Sequence, residues 1–532
     1  MARATENARS YLIPAPTGGW NTRDPWYAMP KSDATVLDNM IPDSSYCRSF
    51  GGQLEYADIG SGVVHTLATL VVSDGTEYLV GINSAAVVNA TAGGAGSGIT
   101  GAATVTSGVP WQWVTFRNIL FMVNGTDQPL SWTGTGNVTA TAWTGPTIAN
   151  LINVAAYKRR LYFVEKNTAK MWYTEAVDNV SGALVSFDVQ SLLTKGGLVL
   201  YAGPTSRSTS QTPNEELFTI VSDQGEVLVY SGDNPKSGTW NIVAHYYMGR
   251  AIGRRCCFHV GGDLNIISYD GLVPMSQLLS GIDPTNDYQT VSGKIRPSFI
   301  RSANSYASNR SWCGVFFPSG PYVLVNIPLV DFSAGVHQYL MNTTTKAWCR
   351  ITGAQAAAWA TFKPSGSTLG IFFGSAEADG KIYRADLAEY LGRTSTGGGE
   401  IAVDIQHAFS PLEDNNNDKI VDFVQPYIDI KNFDTAPTTS TTLMYVGISA
   451  DYNILAVYPN LTAVNLTGTK WLTSDQGGVN NKPIADFSIS GSVLGLRING
   501  NAAWNGAAGS KLGVQFRYYT TRVFYHEGSQ LA

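Results

Sequence analysis

Short apolar runs separated by polar turns recur along most of this 532-residue chain. The most regular stretch extends from Glu215 to Leu278. Runs of four to eight residues that are rich in Val, Ile and Tyr, and bounded by Gly, Asp, Asn and Pro, are typical of antiparallel strands joined by tight turns. No helical period of apolar residues accompanies them, so the stretch predicts one complete sheet and the start of the next. The four runs are Leu217–Val221, Val227–Tyr230, Ile242–Tyr247 and Leu264–Tyr269.

Turn glycines recur at a nearly constant spacing through the first three quarters of the chain. The gaps between them are 50, 100, 46, 49 and 60 residues, and the double gap contains a further strand pair around Tyr157–Tyr173. A period of about 50 residues fits the four-stranded blades of a β-propeller. Residues 61–395 are therefore predicted to form a β-propeller of about six blades, with a β-sandwich carrying long insertions as the structural alternative. The glycines are Gly75, Gly125, Gly225, Gly271, Gly320 and Gly380.

The two ends of the chain do not follow this period. Residues 1–60 are rich in turns, although Ser32-Asp33 could cap a short helix that ends near Met40. We expect an irregular N-terminal arm, a probable interface segment whose aromatic residues pack on the body or on a neighbouring subunit. Beyond a Gly-rich linker at 394–400, residues 396–532 keep strand patterns without the period and are predicted to form a C-terminal antiparallel β-sandwich. The predicted fold class is all-β.

Composition supports an all-β protein and narrows the classes of function. The chain has 55 glycines and only 14% charged residues, a mixture that favours turn-rich β structure. Its net charge of −5 gives no general reason to bind nucleic acid or an anionic membrane. No apolar run approaches the roughly 20 residues that span a bilayer, and the N-terminus has no signal-peptide core. We therefore expect the protein to fold in a cytoplasm, with its five irregularly spaced cysteines as small buried side chains.

Sequence motifs for catalysis or cofactor binding were sought next. The chain has no glycine-rich phosphate loop and no Gly-x-Ser-x-Gly elbow. Its six histidines form no His-x-x-x-His pair, and each sits in or beside a predicted strand. The turns at 73–76 and 222–225 match the Asp-box hairpins of sialidases only in part. We predict no catalytic residue, no cofactor and no metal, and an enzyme is the less favoured alternative at this point.

Two groups of residues are predicted to form interfaces instead. The aromatic and charged residues of the arm need a surface to pack against. A cluster of arginines stands at a turn after the run Ile242–Tyr247. A solvated strand edge is the simpler interpretation, and contact with a protein partner or with passing DNA is the functional one. The candidate interface residues are Trp20, Asn21, Arg23, Asp24, Trp26, Tyr27, Arg250, Arg254 and Arg255.

The arm also carries a recognisable signature. The segment Thr17-Gly-Gly-Trp-Asn-Thr-Arg-Asp-Pro25, followed by Met29-Pro30, Asp33-Ala34 and Val36-Leu-Asp-Asn39, resembles the opening of tail proteins of short-tailed bacteriophages. Further motifs in the same order extend the resemblance over nearly the whole chain. The group resembled is that of the tail nozzle, or tail-stabilisation (head-closure), proteins. The arm signature ends with Pro42, Arg48 and Gly51-Gly52, and the later motifs are Asn124–Asp127 before Trp132–Gly134, Lys158–Phe163, Trp240 and Gly249-Arg250 with Gly261–Leu264 and Asp270–Leu272, and Phe373-Gly374 with Gly380–Arg384.

The resemblance implies a structural β-propeller protein of the virion tail that is assembled in the host cytoplasm and is not an enzyme. It implies a homohexameric ring below the portal and the adaptor (the head-to-tail connector), forming part of the DNA exit channel. The implied partners are other copies of the chain, the adaptor, and distal fibres, spikes or a needle. DNA would pass through non-specifically, which a net negative charge suits, and no membrane anchor is implied.

Two other classes of function remain open from the sequence. The first is a carbohydrate-binding or depolymerising phage tail propeller, in which tryptophans stack on sugars, although core packing is the commoner use of strand aromatics. The second is a host-derived propeller scaffold for protein binding. The tryptophans considered for sugar stacking are Trp111, Trp113, Trp132 and Trp143.

Overall fold

The computed structural model describes most of the chain, and strands far outnumber helices in it. The fold is therefore all-β, as predicted. Two helices, Met275–Leu279 and Arg296–Tyr306, lie between consecutive sheets. Three short 3-10 turns occupy Ile148–Asn150, Gln190–Leu192 and Gly293–Ile295. The linker predicted at 394–400 lies outside the described residues, which are 9–84, 86–207, 215–317, 320–385, 401–413, 417–431, 443–452, 462–465, 485–502 and 515–527.

Seven antiparallel sheets, numbered here by the order of their first strands, occupy most of residues 53–385. Sheet 1 contains Thr66–Val71, Glu77–Ile82, Val87–Asn89 and Ser97–Gly98, and sheet 2 contains Gln112–Phe116, Ile119–Val123, Leu130–Trp132 and Thr139–Ala140. Sheet 3 contains Leu151–Tyr157, Arg160–Glu165, Lys170–Thr174 and Gly182–Asp188, with Trp143–Thr144 added in parallel at its edge. Sheet 4 contains Val199–Arg207, Glu215–Ser222, Glu226–Ser231 and Asn241–Tyr247.

The remaining three sheets continue the series. Sheet 5 contains Cys257–Val260, Asp263–Ser268 and Gly271–Pro274, and sheet 6 contains Cys313–Phe317, Tyr322–Pro328, Val336–Asn342 and Trp348–Thr352. Sheet 7 contains Ala356–Phe362, Gly370–Ser375 and Lys381–Ala385, and its fourth strand is Gln53–Asp58 from the N-terminal region, to which Gly94–Ala95 adds in parallel. The strands predicted within Glu215–Leu278 are confirmed as members of sheets 4 and 5.

The sheets are arranged in a ring around their first strands. From sheet 1 through sheet 4, the first strand of each sheet contacts the first strand of the next, and the same holds from sheet 5 through sheet 7. Between sheets 4 and 5, the first strand of sheet 4 contacts the second strand of sheet 5. The ring closes where the first strand of sheet 7 contacts that of sheet 1. Consecutive sheets placed radially in this way are the arrangement of a β-propeller. Among the described residues the ring contains seven sheets, whereas the glycine spacing predicts about six.

The N-terminal strand Gln53–Asp58 has a distinct role in sheet 7. It pairs antiparallel with Lys381–Ala385, so that Leu54 lies opposite Arg384. Sheet 7 is thus completed by a strand that precedes the interval over which the period was counted. Because the same pairing joins the start and the end of the ring, it also protects an edge that would otherwise be left unpaired.

Two further sheets combine strands from both ends of the chain. The first contains Asp33–Asp38, Ile401–His407, Leu494–Ala502, Leu443–Ala450 and Thr462–Asn465, with Gly19–Trp20 alongside, and it joins sheet 6 where Asp38 pairs with Arg350. The second contains Ala485–Gly491, Lys419–Lys431, Gln515–Glu527, Cys47–Ser49 and Met40–Pro42, with Arg9–Pro14 also paired to Gln515–Glu527. Strands of the arm are therefore integral to the C-terminal sheets.

The short helix expected after Ser32 is wrong, because Asp33–Asp38 is a strand. It pairs with Ile401–His407 on one side and touches Arg350 on the other, so hydrogen bonding to distant strands overrides the local capping signal. Apolar cores lie between adjacent sheets rather than within any one of them. Separate buried clusters join sheets 1 and 2, sheets 2 and 3, sheets 3 and 4, and sheets 7 and 1, while the largest cluster links sheets 4 to 7 with the C-terminal sheets.

Candidate interface residues and the central cavity

Two of the candidate interface residues in the arm, Trp20 and Asn21, are buried within the chain. The Trp20 ring packs edge-on against Tyr339 with the centroids 5.1 Å apart, and its Nε1 donates to the carbonyl of Thr35 at 3.1 Å. Asn21 is only 1% exposed. Neither side chain presents a surface to a partner, and this corrects the expectation for both residues.

Asn21 organises a polar network around Asp33, which has no exposed surface. The Asn21 amide donates to the Asp33 carboxylate at 2.8 Å and to the Asp24 carboxylate at 2.9 Å. Lys294 Nζ donates to Asp33 Oδ1 at 2.9 Å and to the carbonyl of Gly18 at 2.9 Å. A buried charge requires a partner and hydrogen bonds, and Asp33 has both. The network fastens the arm to the segment that precedes the helix Arg296–Tyr306.

Arg23 and Asp24 continue this network toward the surface. Arg23 Nε donates to Asp24 Oδ1 at 2.7 Å, and Arg23 Nη1 donates to the carbonyl of Asp287 at 2.8 Å. The hydrogen bond from Arg23 lowers the pKa of Asp24, and the same bond raises the pKa of Arg23. The guanidinium also lies 4.2 Å from the ring centre of Tyr288. These two candidate residues therefore already have partners within the chain.

Close packing requires glycine at the two consecutive glycine positions of the arm signature, Gly18 and Gly19. Gly19 has a φ of +86°, and a Cβ there would lie 2.6 Å from the main-chain nitrogen of Trp348. A Cβ on Gly18 would lie 1.9 Å from Asp33 Oδ1. Glycine at both positions lets the arm approach the body more closely than any other residue allows. The signature therefore encodes docking of the arm onto its own chain.

Trp26 and Tyr27 are the arm candidates that face outward. Trp26 is 40% exposed and stacks on Phe409, with the ring centroids 5.9 Å apart. Tyr27 is 79% exposed, and Tyr288, which lies under Arg23, is 82% exposed. Large aromatic side chains with this exposure are frequent at protein interfaces. Of the candidate arm residues, these two aromatics keep an accessible surface.

The arginine cluster is divided between the surface and the centre of the ring. Arg250 is exposed, as is much of Arg254. Arg254 Nη1 nevertheless donates to the carbonyl of Asn124 in sheet 2 at 3.0 Å, and the Gln112 amide donates to the carbonyl of Arg254. The segment between sheets 4 and 5 thus crosses the ring to sheet 2. This corrects the interpretation of Arg254 as part of a simple strand edge.

Arg255 lies deeper and joins three other parts of the ring. Its Nη1 donates to the carbonyl of His65 at 3.0 Å, and its Nη2 donates to the carbonyls of Arg310 at 3.2 Å and Ala357 at 3.1 Å. Burial lowers the pKa of the guanidinium, which stays charged at neutral pH because its ordinary pKa is so high. Within the described ranges, Arg255 forms no ion pair with a carboxylate. Arg255 therefore closes one end of the ring rather than presenting an interface.

A cavity of about 490 Å³ occupies the centre of the ring next to Arg255. Its walls come from the first strands of sheets 1, 2, 5, 6 and 7, and sequence reasoning did not identify it. Leu369, which follows the first strand of sheet 7, is 38% exposed, so the cavity reaches solvent at the end away from Arg255. Residues lining it include Thr66, Leu67, Trp111, Gln112, Trp113, Arg255, Phe258, His259, Phe316, Trp359, Thr361 and Leu369.

Some polar groups around this cavity have hydrogen-bond partners among the described residues, and others do not. Arg255 Nε and Trp111 Nε1 are buried donors without a hydrogen-bond partner among the described residues. Within that part of the chain, Arg255 carries the one fixed charge of the lining, and no lining residue is acidic. Nearby His65 is buried, and burial followed by the charge of Arg255 lowers its pKa to about 4. The histidine is therefore neutral at pH 7.

The tryptophans considered for sugar stacking are mostly structural. Trp111, Trp132 and Trp143 are 1%, 2% and 3% exposed, so they pack in cores. Trp113 is half-buried, lines the central cavity, and donates from Nε1 to the carbonyl of Leu67 at 2.9 Å. Because Trp111, Trp132 and Trp143 are buried, an external sugar chain cannot stack on them.

The outer strand of sheet 4, Asn241–Tyr247, exposes large apolar side chains to solvent. It lies at the sheet edge, and Ile242, Val243 and Tyr247 are 45%, 48% and 47% exposed. Side-chain contacts hold the C-terminal end of the strand. There, His245 Nε2 lies 3.3 Å from Glu226, and the Tyr247 hydroxyl lies 3.0 Å from that of Thr194. The apolar run was visible in the sequence, but its exposure depends on the strand being an edge. Exposed apolar edge strands are templates for pairing with another chain.

The described residues were also searched for disulfides, metal sites and membrane-spanning helices. The five cysteines are free, and all except half-buried Cys257 are buried, as predicted. No group of three or more His, Cys, Asp or Glu side chains within the described ranges is placed to hold a metal ion. Among the helices of that same part of the chain, none is long and apolar enough to cross a membrane.

Comparisons with known proteins give no family assignment. No protein family and no curated protein sequence matches the chain. Among solved structures, it is similar to YCF48 from Cyanidioschyzon merolae at a TM-score of 0.34 and 12% identity, covering 62% of this chain and 98% of that one. It is also similar to YCF48 bound to D1 peptide (TM-score 0.33, 12% identity, 66% and 98% covered) and to the computationally designed Ika8 protein (0.33, 10%, 66% and 96%). At these TM-scores the likenesses carry no argument, and the ring rests on the strand contacts described above.

Proposed function

We propose that this chain is a structural subunit of the tail nozzle of a short-tailed bacteriophage. In this proposal the ring of sheets is a seven-bladed β-propeller, and copies of the chain associate into a homohexamer that surrounds the DNA exit path. The hexamer joins the adaptor to the distal fibres, spikes or needle. It carries out no catalytic step, and DNA passes through it without specific contacts.

The observation that carries the proposal is the exposed apolar edge of sheet 4. A strand edge with Ile242 and Val243 about half exposed is normally covered, because it would otherwise promote uncontrolled association. A neighbouring copy of the chain that pairs with this strand would bury those side chains and satisfy the free main-chain groups of the edge. The resemblance of the arm and of the later motifs to tail nozzle proteins selects this assembly over other ring-forming proteins.

The exposed aromatic residues of the arm provide a second contact surface. Trp26 and Tyr27 lie on a segment that the Asn21–Asp33 network holds in place, so their side chains are presented from a rigid support. Aromatic anchors on a rigid support lose little conformational entropy when they bind. We assign this surface to contact with the adaptor or a distal tail protein.

Assembly of the purified protein tests the proposal. We expect six-fold rings in negative-stain images of the wild-type chain, alone or mixed with its adaptor, and a matching mass by light scattering. The double variant Ile242→Lys, Val243→Lys should remain monomeric, because two ammonium groups would be buried in the contact. The control is Val71→Lys, whose parent side chain is 46% exposed on sheet 1 and should assemble normally. A wild-type protein that stays monomeric with its adaptor, or an edge variant that forms rings as readily as the wild type, would contradict the proposal.

A further inference from the structure

The chain has a second open strand edge besides the edge of sheet 4, on the N-terminal strand Arg9–Pro14. This strand pairs with one strand of the second C-terminal sheet, and no other described strand lies along its outer side. Just beyond it, Ala15 N donates to the carbonyl of Tyr519 at 2.9 Å. Main-chain groups of an antiparallel pair alternate between the two sides of a strand, so those of Ser10 and Leu12 point away from the sheet. No main-chain hydrogen bond within the described ranges satisfies them.

The edge of sheet 4 is free in the same way. Met248 N donates to the carbonyl of Gly225 at 2.8 Å, and the same alternation directs the main-chain groups of His245 and Tyr247 outward. The two edges also expose apolar surface to a similar extent. Leu12 is 52% exposed, close to the values for the apolar side chains on the edge of sheet 4. Each edge therefore combines free main-chain groups with apolar side chains that a partner would cover.

The two edges lie on different parts of the chain. Arg9–Pro14 belongs to the second C-terminal sheet, in which Met40–Pro42 contacts Trp348–Thr352 of sheet 6. Sheet 5 separates sheet 6 from sheet 4 in the ring of sheets. An edge that pairs with its own copy gives a two-fold dimer, whereas a closed ring of copies needs two different surfaces that fit each other. Two distinct edges on one chain meet that requirement.

The main-chain groups of the two edges match in spacing. In an antiparallel alignment that places Leu12 opposite His245, Ser10 lies opposite Tyr247, so both pairs of outward groups can bond together. Pro14, which has no N–H to donate, then lies opposite the residue at which the strand of sheet 4 is bulged. The alignment therefore wastes few donors and acceptors.

The charges of the two strands also allow the contact. Neither strand contains an acidic residue. Arg9 is the one Lys or Arg in the two strands, and it forms an ion pair with Glu527 in its own sheet. Pairing of the strands therefore brings no like charges together and leaves no carboxylate without a partner.

We propose that Arg9–Pro14 of one copy pairs with Asn241–Tyr247 of the next copy around the ring. The inference rests on the proposed homohexamer and names the surface that the edge of sheet 4 contacts. Repetition of this one contact from copy to copy closes the assembly and leaves neither edge open. The N-terminal strand thus serves the neighbouring subunit through its outer side, while the rest of the arm docks on its own chain.

Complementation between two variants tests the pairing. Leu12→Lys should be monomeric where the wild type forms rings, because its ammonium group would be buried in the contact. The variant Ile242→Lys, Val243→Lys has the other edge blocked. An equimolar mixture should give dimers by light scattering, since one intact edge of each kind remains. Circular dichroism confirms that each variant is folded, and Val71→Lys is again the control that should form rings.

Chemical cross-linking with a short bismaleimide identifies the strands that meet. The double variant Leu12→Cys, Val243→Cys should give a ladder of covalent oligomers that ends at the hexamer. Each single variant should give no more cross-linking than the wild type, in which Cys257 is the half-buried thiol among buried ones. Dimers from Val243→Cys alone would show that the edge of sheet 4 pairs with its own copy. Cross-links from Val243→Cys to the adaptor instead would assign this edge to the adaptor, and either result overturns the proposal.

The outcomes separate this inference from the proposed function. If Leu12→Lys forms rings as readily as the wild type, the strand pairing is wrong while the hexameric nozzle stands. If the double-cysteine variant cross-links head to tail into closed assemblies with a number of copies other than six, the pairing stands and the hexamer is wrong. A mixture of the two lysine variants that stays monomeric, or a wild type that does not self-associate, overturns the pairing.

Discussion

Arg255 Nη1 donates a hydrogen bond of 3.0 Å to the main-chain carbonyl of His65 and thereby joins the segment before sheet 5 to the start of sheet 1 across the ring. The two residues are far apart in the sequence, and their side chains influence each other electrostatically as well. The acceptor is a main-chain carbonyl, which does not titrate, whereas the imidazole of His65 does. The pH dependence at this end of the ring is therefore expected to come from the histidine.

Acidification should destabilise the protein through His65. Burial and the nearby Arg255 lower the pKa of His65 to about 4, whereas a histidine in the unfolded chain has a pKa of about 6.5. Between these values the unfolded state binds more protons, so this contribution to the free energy of unfolding falls as the pH decreases from about 6.5 to about 4. The total loss from His65 is roughly 3 kcal/mol.

Urea unfolding of the wild type and of His65→Gln between pH 7.5 and 4 measures this effect. The difference in unfolding free energy between the two proteins should shrink across that window, because the glutamine does not titrate. Parallel curves for His65→Gln would show that His65 does not have a lowered pKa.

Removal of the strand Gln53–Asp58 should open the ring. A protein lacking residues 1–52 keeps this strand, whereas a protein lacking residues 1–60 exposes the edge of Lys381–Ala385. Both deletions remove the strands that the arm contributes to the C-terminal sheets, so their comparison isolates the closing strand. Hydrogen exchange in Gly370–Ser375 and Lys381–Ala385 should be much faster in the longer deletion. Equal protection in the two proteins would mean that the strand is not needed for closure.

Loss of the Asp33 carboxylate should destabilise the attachment of the arm. Asp33→Ala leaves the Lys294 ammonium and the Asn21 amide without their buried acceptor, which should lower the free energy of unfolding by about 2 to 4 kcal/mol. Glu175→Ala removes an ion pair to Lys236 in which both side chains are more than half exposed, and it should have a much smaller effect. Chemical denaturation measures both, and similar losses would argue against the arm network as a stabilising contact.

The two glycines Gly19 and Gly75 should respond differently to alanine, although their φ angles are +86° and +85°. A Cβ on Gly75 meets nothing within 4 Å, so its replacement should cost only the left-handed strain of about 1 to 2 kcal/mol. At Gly19 the same methyl group approaches the Trp348 main chain to 2.6 Å, and the arm must shift, which should cost about 1 to 3 kcal/mol more. Thermal unfolding of the two variants measures the difference. Equal effects would show that the arm can move without loss of stability.

Much of the strand content could be predicted from the sequence. Alternation and turn residues are local signals, and the strands within Glu215–Leu278 lie where those signals place them. Five of the six turn glycines used to find the period have a positive φ, namely Gly75, Gly125, Gly225, Gly271 and Gly380. The same reasoning failed for Asp33–Asp38, where a plausible helix cap is overridden by strands from distant parts of the chain. Propensity is a weak guide where such pairing is available.

The candidate interface was predicted less well than the fold. Trp20 and Asn21 belong to the recognisable signature of the arm, but that signature serves docking of the arm onto its own chain. Arg255 was assigned to a surface, and it reaches into the centre of the ring. In each case the residue type indicated a contact, but the sequence did not show whether that contact lies within the chain or with a partner.

The sequence by itself determined that this protein is built from short antiparallel strands, because strand alternation and turn chemistry act between residues that are close along the chain. Only the tertiary structure decided which strands are edges, that Leu54 lies opposite Arg384 to close the ring, and that Arg255 reaches His65 beside a central cavity. Those features depend on contacts between distant segments. Burial and electrostatic environment arise from such contacts, and no local pattern encodes them.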